Sequence, residues 1–252
     1  MAYFGIKARN EEQKLVLRAL DNDKPFTFIT GQSGGGKSIL TQAVGLENVI
    51  ETQKYKKLIY TRLQVEIGLS QGFLPGDAND KIFPFVAPFF DNLSEMTSNN
   101  NNIQDWINIS NGDEDKKKVF FDSIQSIRGR SLNNVYFICD ESQNLDINTI
   151  SAIATRAGNN SKFVFLGNFS QTDDKRLRTP EKNGLYQLLQ GLYDKDPNKQ
   201  YFDHINLTEV QRNPVVGIVE DILRNHDVDK RFIDLENKGN IEEYNSKYGV
   251  IA

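Results

Sequence analysis

Residues 25–46 read PFTFITGQSGGGKSILTQAVGL, and the parsing of this stretch decides the fold. Pro25 to Thr30 is a short run of aromatic and β-branched side chains, the composition of a buried strand. Ser38 to Thr52 has the character of a helix. Between them GQSGGGKS fits the phosphate-loop pattern GxxxxGK[ST], with Gly31, Gly36, Lys37 and Ser38 in register. A strand before and a helix after are the context that pattern demands. Glycines let backbone N–H groups turn inward around a phosphate, and the helix that follows aims its positive end at the anion. Lys37 then spans the β- and γ-phosphates and the Ser38 hydroxyl becomes a ligand for Mg²⁺, while Gln32, Ser33, Gly34 and Gly35 complete the cradle.

Four further runs read as buried strands: KLIYTR (Lys57 to Arg62), VYFICD (Val135 to Asp140), KFVFLGN (Lys162 to Asn168) and HINLTEV (His204 to Val210). Helix-like segments, such as Ile147 to Gly158, lie between most of them. Strands alternating with helices imply βαβ units and an α/β fold on a mostly parallel sheet. NEEQKLVLRAL, ahead of the first of these strands, predicts a helix beside the nucleotide site. The segment 68–130 breaks the alternation, with GFLPGD, the prolines of FPFVAPFF, the polar tract Ser98 to Asn102 and the charged NGDEDKKK. It reads as an inserted lobe between the second strand and the strand ending at Asp140. One domain over 1–235 is expected, with 236–252 as a surface tail.

A bound triphosphate needs a carboxylate for its metal and, if it is cleaved, a base for water. VYFICDESQ offers both: the apolar strand delivers Asp140 at its carboxyl end as a metal acid, and Glu141 follows as the candidate general base. KFVFLGNFSQTD is a second strand with a polar exit, placing Asn168 and Gln171 where a neutral amide can sense the terminal phosphate.

Composition limits the alternatives. Lys plus Arg number 30 against 34 Asp plus Glu, a net charge of −4, so any contact with nucleic acid must be a local patch. The one cysteine, Cys139, sits inside an apolar strand, which excludes a disulfide framework and fits a cytoplasmic setting. No leader-like or membrane-length apolar run is present in the sequence, so no membrane partner is expected. His204 and His226 show no metal-ligand spacing, and no Ser, His and Asp grouping suggests a hydrolase triad.

TRLQVEIGLSQGFLPGDANDKIFPFVAPFFDNL, QSIRGRSLNNVYFICDESQN, the TRAG at Thr155 to Gly158, GNFSQTD and EVQRNPVV resemble, in order, the motifs of the PhoH family of phosphate-loop ATPases, over about Asn10 to Ile222. That family is similar to the first motor domain of superfamily 1 helicases, so the resemblance implies a RecA-like fold, ATP and Mg²⁺ as cofactors, and ATP hydrolysis coupled to RNA or single-stranded DNA. A motor built from a single such domain implies a homo-oligomer, a ring with six copies as the expected form. Some members carry a fused nuclease domain of the PIN type, for which these residues leave no room. Residue by residue, the resemblance makes Gln171 the glutamine of the third helicase motif and Asn10 with Gln13 an adenine-reading NxxQ. Arg212 resembles an arginine that touches the γ-phosphate in cis or from a neighbouring subunit; pairing with a carboxylate is its other reading.

The sequence departs from the family pattern at three places: Asn168 stands where GDxxQ has aspartate, Gly35 replaces a threonine of the loop, and Leu63 a proline after Thr61 and Arg62. Arg62, Arg128, Arg130, Arg156 and the cluster Lys175, Arg176 and Arg178 are candidates for nucleic acid or for ordinary ion pairs. Phe73, Phe83, Phe85, Phe89 and Phe90 either stack on bases or belong to the core. Two other functions stay open: a nucleotide-controlled assembly switch with slow turnover, and a small-molecule kinase with Lys175, Arg176 and Arg178 as its lid.

Overall fold

The computed structural model describes residues 2–62, 78–96, 117–122, 124–127, 129–211 and 228–242, with four further positions at 215, 218, 219 and 222. Leu63, Phe73, Arg128 and the tract Ser98 to Asn102 lie outside the described residues, as do the side chains of Phe83 and Phe85.

A small antiparallel pair, β1 (Ala2–Tyr3) and β2 (Ile6–Lys7), precedes helix α1 (Glu11–Asp21). Then come β3 (Phe26–Gly31), α2 (Lys37–Leu46), β4 (Lys57–Arg62), α3 (Ala78–Met96), β5 (Val119–Phe121), the single turn α4 (Ile124–Ile127) and β6 (Val135–Asp140). The chain continues through α5 (Ile147–Ala154), β7 (Lys162–Leu166), α6 (Gly184–Lys195), β8 (Phe202–Leu207) and α7 (Lys230–Asn237). Strands β3 to β8 form a six-stranded sheet in the order β5-β4-β6-β7-β3-β8, with every pairing parallel.

Parallel strands are buried on both faces and so read as unbroken apolar runs, and β6 is buried along its whole length. Side chains alternate between two cores as the period of two requires. Tyr136 and Ile138 of β6 join the core under α1, α2 and α3, whereas Val135, Phe137 and Cys139 join the one under α5, α6 and α7. Phenylalanine rings cement the second core, with Phe28 on Phe165 at 5.2 Å and Phe137 on Phe163 at 4.8 Å between centroids. On the first face α2 lies close to the sheet at Gly45, where a β-carbon would come within 2.8 Å of Leu58 and Tyr136. That close approach seats the carboxyl end of α2 directly on β4 and β6.

The strand that leads into the phosphate loop, β3, is separated from the acidic strand β6 by β7, so the expected RecA-like arrangement is present. Three local expectations are corrected. The last strand runs from Phe202 to Leu207 rather than from His204 to Val210, because Asp203 is buried in an ion pair with Lys24 (2.7 Å) while the amides of Thr208 and Glu209 turn away to Glu12. The helix from Ile147 ends at Ala154, since Ala157 bridges to Leu132 and the Gly158 N–H bonds the Leu132 carbonyl. Helix α2 starts at Lys37 and passes into a wider π-helical turn at Glu47–Glu51. Within the segment read as an insertion, β5 pairs with β4 at the sheet edge, a strand of three residues that periodicity does not reveal. Phe89 is fully buried, so of the two readings of the aromatic residues the core one applies to it.

Candidate functional site

The carboxyl ends of parallel strands are where α/β sheets place their ligands, and β3, β4, β6 and β7 converge there. Strand β3 ends at Gly31, whose φ of +113° and whose hypothetical β-carbon, 2.1 Å from the Leu207 carbonyl, leave room for glycine alone. Gly36, at φ +97°, caps α2 without any side-chain hydrogen bond. The first N–H groups of α2 are thus left for an anion to satisfy.

The loop is held from behind by two remote segments. Gln13 of α1 donates Nε2 to the Gly35 carbonyl at 2.9 Å, and the backbone N–H of Gln211, beyond β8, donates to the Gly34 carbonyl at 2.9 Å. Ser33 at the loop crest donates to Gln171 Oε1 at 2.9 Å. Lys37 lies back along the loop, its Nζ donating to the carbonyls of Gly31 and Gln32, both at 2.7 Å. Those are contacts an ammonium can exchange for phosphate oxygens.

Opposite the loop stands Asp140, buried at the end of β6. Its Oδ2 accepts from Ser38 Oγ at 3.4 Å and from the Tyr60 hydroxyl at 2.8 Å, and its Oδ1 accepts the Glu141 N–H at 3.0 Å. Burial, aided by the neighbouring Glu141, holds the Asp140 carboxyl above the usual aspartate range. A divalent cation would reverse that shift, and the donors fit one: a hydroxyl and a carboxylate, both hard oxygens, on opposite sides of one gap. Among the described residues no cage of three His, Cys, Asp or Glu side chains occurs. Mg²⁺ needs none, since it keeps most of its ligands as water and phosphate.

Glu141 adopts a left-handed backbone, φ +53°, that turns its side chain out of the strand. Its carboxylate accepts from Arg62 Nη2 at 3.1 Å and from Gln143 Nε2 at 2.6 Å. Gln143 is fully buried and reaches further, its Oε1 accepting the Asn168 N–H at 3.1 Å. The structure therefore brings Gly31 to Ser38, Asp140, Glu141 and Gln171 together around one loop.

Other expected residues sit differently. The Asn168 oxygen is occupied within its own turn by Ser170 (N at 3.1 Å, Oγ at 2.6 Å), and its Nδ2 is buried with no hydrogen-bond partner among the described residues. Asn10 caps α1 by accepting the Gln13 N–H and donates to Glu209, both at 2.8 Å. Gln13 spends its oxygen on the Arg9 N–H and its nitrogen on Gly35, so in this structure it braces the phosphate loop. Arg212 lies outside the described residues, although its neighbour Gln211 touches the loop. Several basic candidates are ion-paired or folded back: Arg62 on Glu141, Arg130 on Asp122 at 2.9 Å, Arg176 on Asp174 at 2.7 Å and Arg178 on the Thr172 carbonyl at 3.0 Å.

Tyr60, Gln143 and Gln211 are site residues that the sequence reading passed over. The signal for Tyr60 was its place two residues before Arg62, hence on the same strand face as a residue whose Cα pairs with that of Asp140. For Gln143 the sequence carries no such signal: DESQ reads as a polar strand exit, and the full burial of its amide appears only in the structure.

The sequence matches the family described as PhoH-like protein over residues 5–224. Among similar proteins, Protein PhoH2 of Thermobispora bispora is 30% identical over 223 residues, 88% of this chain and 48% of that protein. Protein PhoH2 of Bacillus subtilis is 29% identical over 87% of this chain and 48% of its own length, and a PhoH-like protein of Synechocystis 31% identical over 84% and 60%. The chain thus spans about half the length of the first two of these relatives. Among solved structures, Bacteroides Pif1 bound to single-stranded DNA aligns at a TM-score of 0.37 and 14% identity, over 91% of this chain and 49% of that one. The Sulfolobus solfataricus SWI2/SNF2 ATPase core aligns at 0.43 and 11%, over 82% and 46%. No helix among the described residues is long and apolar enough to cross a membrane.

Proposed function

The chain belongs to the PhoH-like protein family and is a phosphate-loop NTPase, and from that premise we propose that it binds ATP with Mg²⁺, hydrolyses it, and couples turnover to single-stranded RNA or DNA. The observation that carries this reading is the 3.4 Å approach of Ser38 Oγ to Asp140 Oδ2 across the mouth of the glycine loop, with Glu141 beside it. Backbone N–H groups of the loop and of the start of α2 bind the phosphate oxygens, and Lys37 exchanges its two loop carbonyls for the β- and γ-phosphates. Ser38 and Asp140 hold Mg²⁺, which when bound neutralises charge building on the phosphates. Glu141 releases Arg62 or Gln143, orients a water and takes its proton as the water oxygen bonds to the γ-phosphorus and the bond to ADP breaks. Gln171, joined to Ser33, reports the state of the terminal phosphate to the turn after β7. Arg212, by the family resemblance, adds positive charge to the γ-phosphate in cis or from a neighbouring copy in a homo-oligomeric ring. The setting is the cytoplasm.

A second reading, a nucleotide-controlled assembly switch with slow turnover, is favoured by Asn168: a neutral amide with its oxygen committed to Ser170 brings no charge to the metal's surroundings. Steady-state phosphate release with Mg²⁺, with and without single-stranded RNA or DNA, separates the two. Stimulation by nucleic acid supports the coupled ATPase; indifference to both supports the switch. In either case Lys37→Ala should abolish tight ATP binding, and Glu141→Gln should keep binding while turnover falls about a hundredfold or more. Normal turnover in Glu141→Gln would refute the assignment of the base.

A further inference from the structure

Tyr60 is almost wholly buried in β4, yet its hydroxyl does not idle. It donates to Asp140 Oδ2 at 2.8 Å, the same oxygen that Ser38 Oγ approaches at 3.4 Å. A buried hydroxyl without a partner costs about 1–3 kcal/mol, which by itself could explain the contact as plain satisfaction of a core tyrosine. The adjacent strand argues otherwise. Tyr136, equally buried in β6, leaves its hydroxyl without a hydrogen bond among the described residues, so this core tolerates an unpaired phenol.

The Tyr60 ring is also fixed from two sides. Phe89 of α3 meets it edge to face at 5.3 Å between centroids and Phe121 of β5 at 6.2 Å, so the hydroxyl is aimed by packing rather than free to swing. Asp140 in turn is held at three points: Tyr60 and Ser38 on Oδ2, and its own following amide on Oδ1. Groups that orient a metal-side carboxylate tune affinity for the metal without touching it. On the ATP and Mg²⁺ reading above, we propose that Tyr60 is a positioning residue for the metal site, its hydroxyl locking Asp140 Oδ2 toward Ser38 while the aromatic wedge of Phe89 and Phe121 locks the hydroxyl. The metal acid is thereby mechanically tied to the helix of the segment between β4 and β6.

The test is direct binding of Mn²⁺ in the presence of a non-hydrolysable ATP analogue, read by electron paramagnetic resonance, on the full chain and three variants. Tyr60→Phe keeps the ring and should keep the melting temperature within a few degrees, yet weaken Mn²⁺ about tenfold. Phosphate release at saturating metal should recover most of the wild-type rate. Phe89→Leu loosens the packing and keeps the hydroxyl; it should melt lower with Mn²⁺ affinity changed less than in Tyr60→Phe. Asp140→Asn should lose the metal. Unchanged Mn²⁺ affinity in Tyr60→Phe beside loss in Asp140→Asn overturns the role of Tyr60 alone. Weakening in Phe89→Leu with none in Tyr60→Phe assigns the effect to packing and also overturns it. Absence of metal-dependent nucleotide binding in the wild type removes the ATP and Mg²⁺ reading and this inference with it.

Discussion

Gln143 has no exposed surface, and its amide joins parts of the site that are far apart in sequence. One end donates to Glu141 at 2.6 Å and to the Gln171 carbonyl at 3.4 Å, and the other accepts the Asn168 N–H at 3.1 Å. Any change of the base that accompanies bond cleavage must therefore be felt at the turn after β7. Gln143→Leu preserves volume but leaves the Asn168 N–H unsatisfied and releases Glu141 to Arg62. We expect a loss of about 1–3 kcal/mol in a urea titration, because a buried donor is stranded. Single-turnover phosphate release should fall about tenfold, equivalent to about 1.4 kcal/mol of barrier, with nucleotide affinity retained. Gln143→Glu should be worse in both measurements, since it sets a second carboxylate against Glu141.

At the scale of elements, β7 is tied to α1 at the sheet end remote from the loop. Lys162, the first residue of β7, is fully buried and donates Nζ to the Ala19 carbonyl at 2.6 Å and to the Asn22 carbonyl and side-chain oxygen at 3.2 and 2.9 Å. Desolvation, opposed by Asp203 and Asp23 and reinforced by Lys54 and Lys24, pulls its pKa down to about 7. Between that value and the ordinary lysine range the unfolded chain carries a proton that the native one has shed, so stability rises with pH there and the gain is lost as pH falls through about 7. We expect the urea midpoint to rise between about pH 7 and 8.5 and Lys162→Met to flatten that rise; an identical slope in the variant would exclude Lys162 as its source. This tie was not legible in the sequence, where KFVFLGN showed a strand but gave no hint that its lysine points inward. Asp203 concealed the start of β8 for the same reason, since the Lys24 that makes its burial tolerable is 179 residues away. Strand β6 was legible because a parallel strand buried on both faces writes its burial into consecutive letters. GQSGGGKS and Asp140–Glu141 were legible because loop chemistry and strand exits are local, while Tyr60 owes its role to a carboxylate 80 residues distant.

In the whole molecule the phosphate loop is the point where separate parts of the chain meet. α1 reaches it through Gln13, the exit of β8 through Gln211, and the turn after β7 through Gln171. A ligand seated in the loop therefore tightens elements from both ends of the chain, and its binding energy should appear as stability of the whole domain rather than of the loop alone. Nothing that binds the native state alone can avoid this linkage: at a ligand concentration 100 times its Kd, the gain is about 2.7 kcal/mol. For a domain of this size each kcal/mol raises the melting temperature by about 2–4 °C, so saturating ATP with Mg²⁺ should raise it by roughly 5–10 °C in one cooperative transition. Lys37→Ala should show no such rise, and ATP with excess chelator should give a smaller one, because Ser38 and Asp140 then contribute nothing to binding. Two transitions, of which only one responds to nucleotide, would mean that the loop is energetically separate from the sheet, and the coupling of α1 and the β8 exit to the site would have to be abandoned.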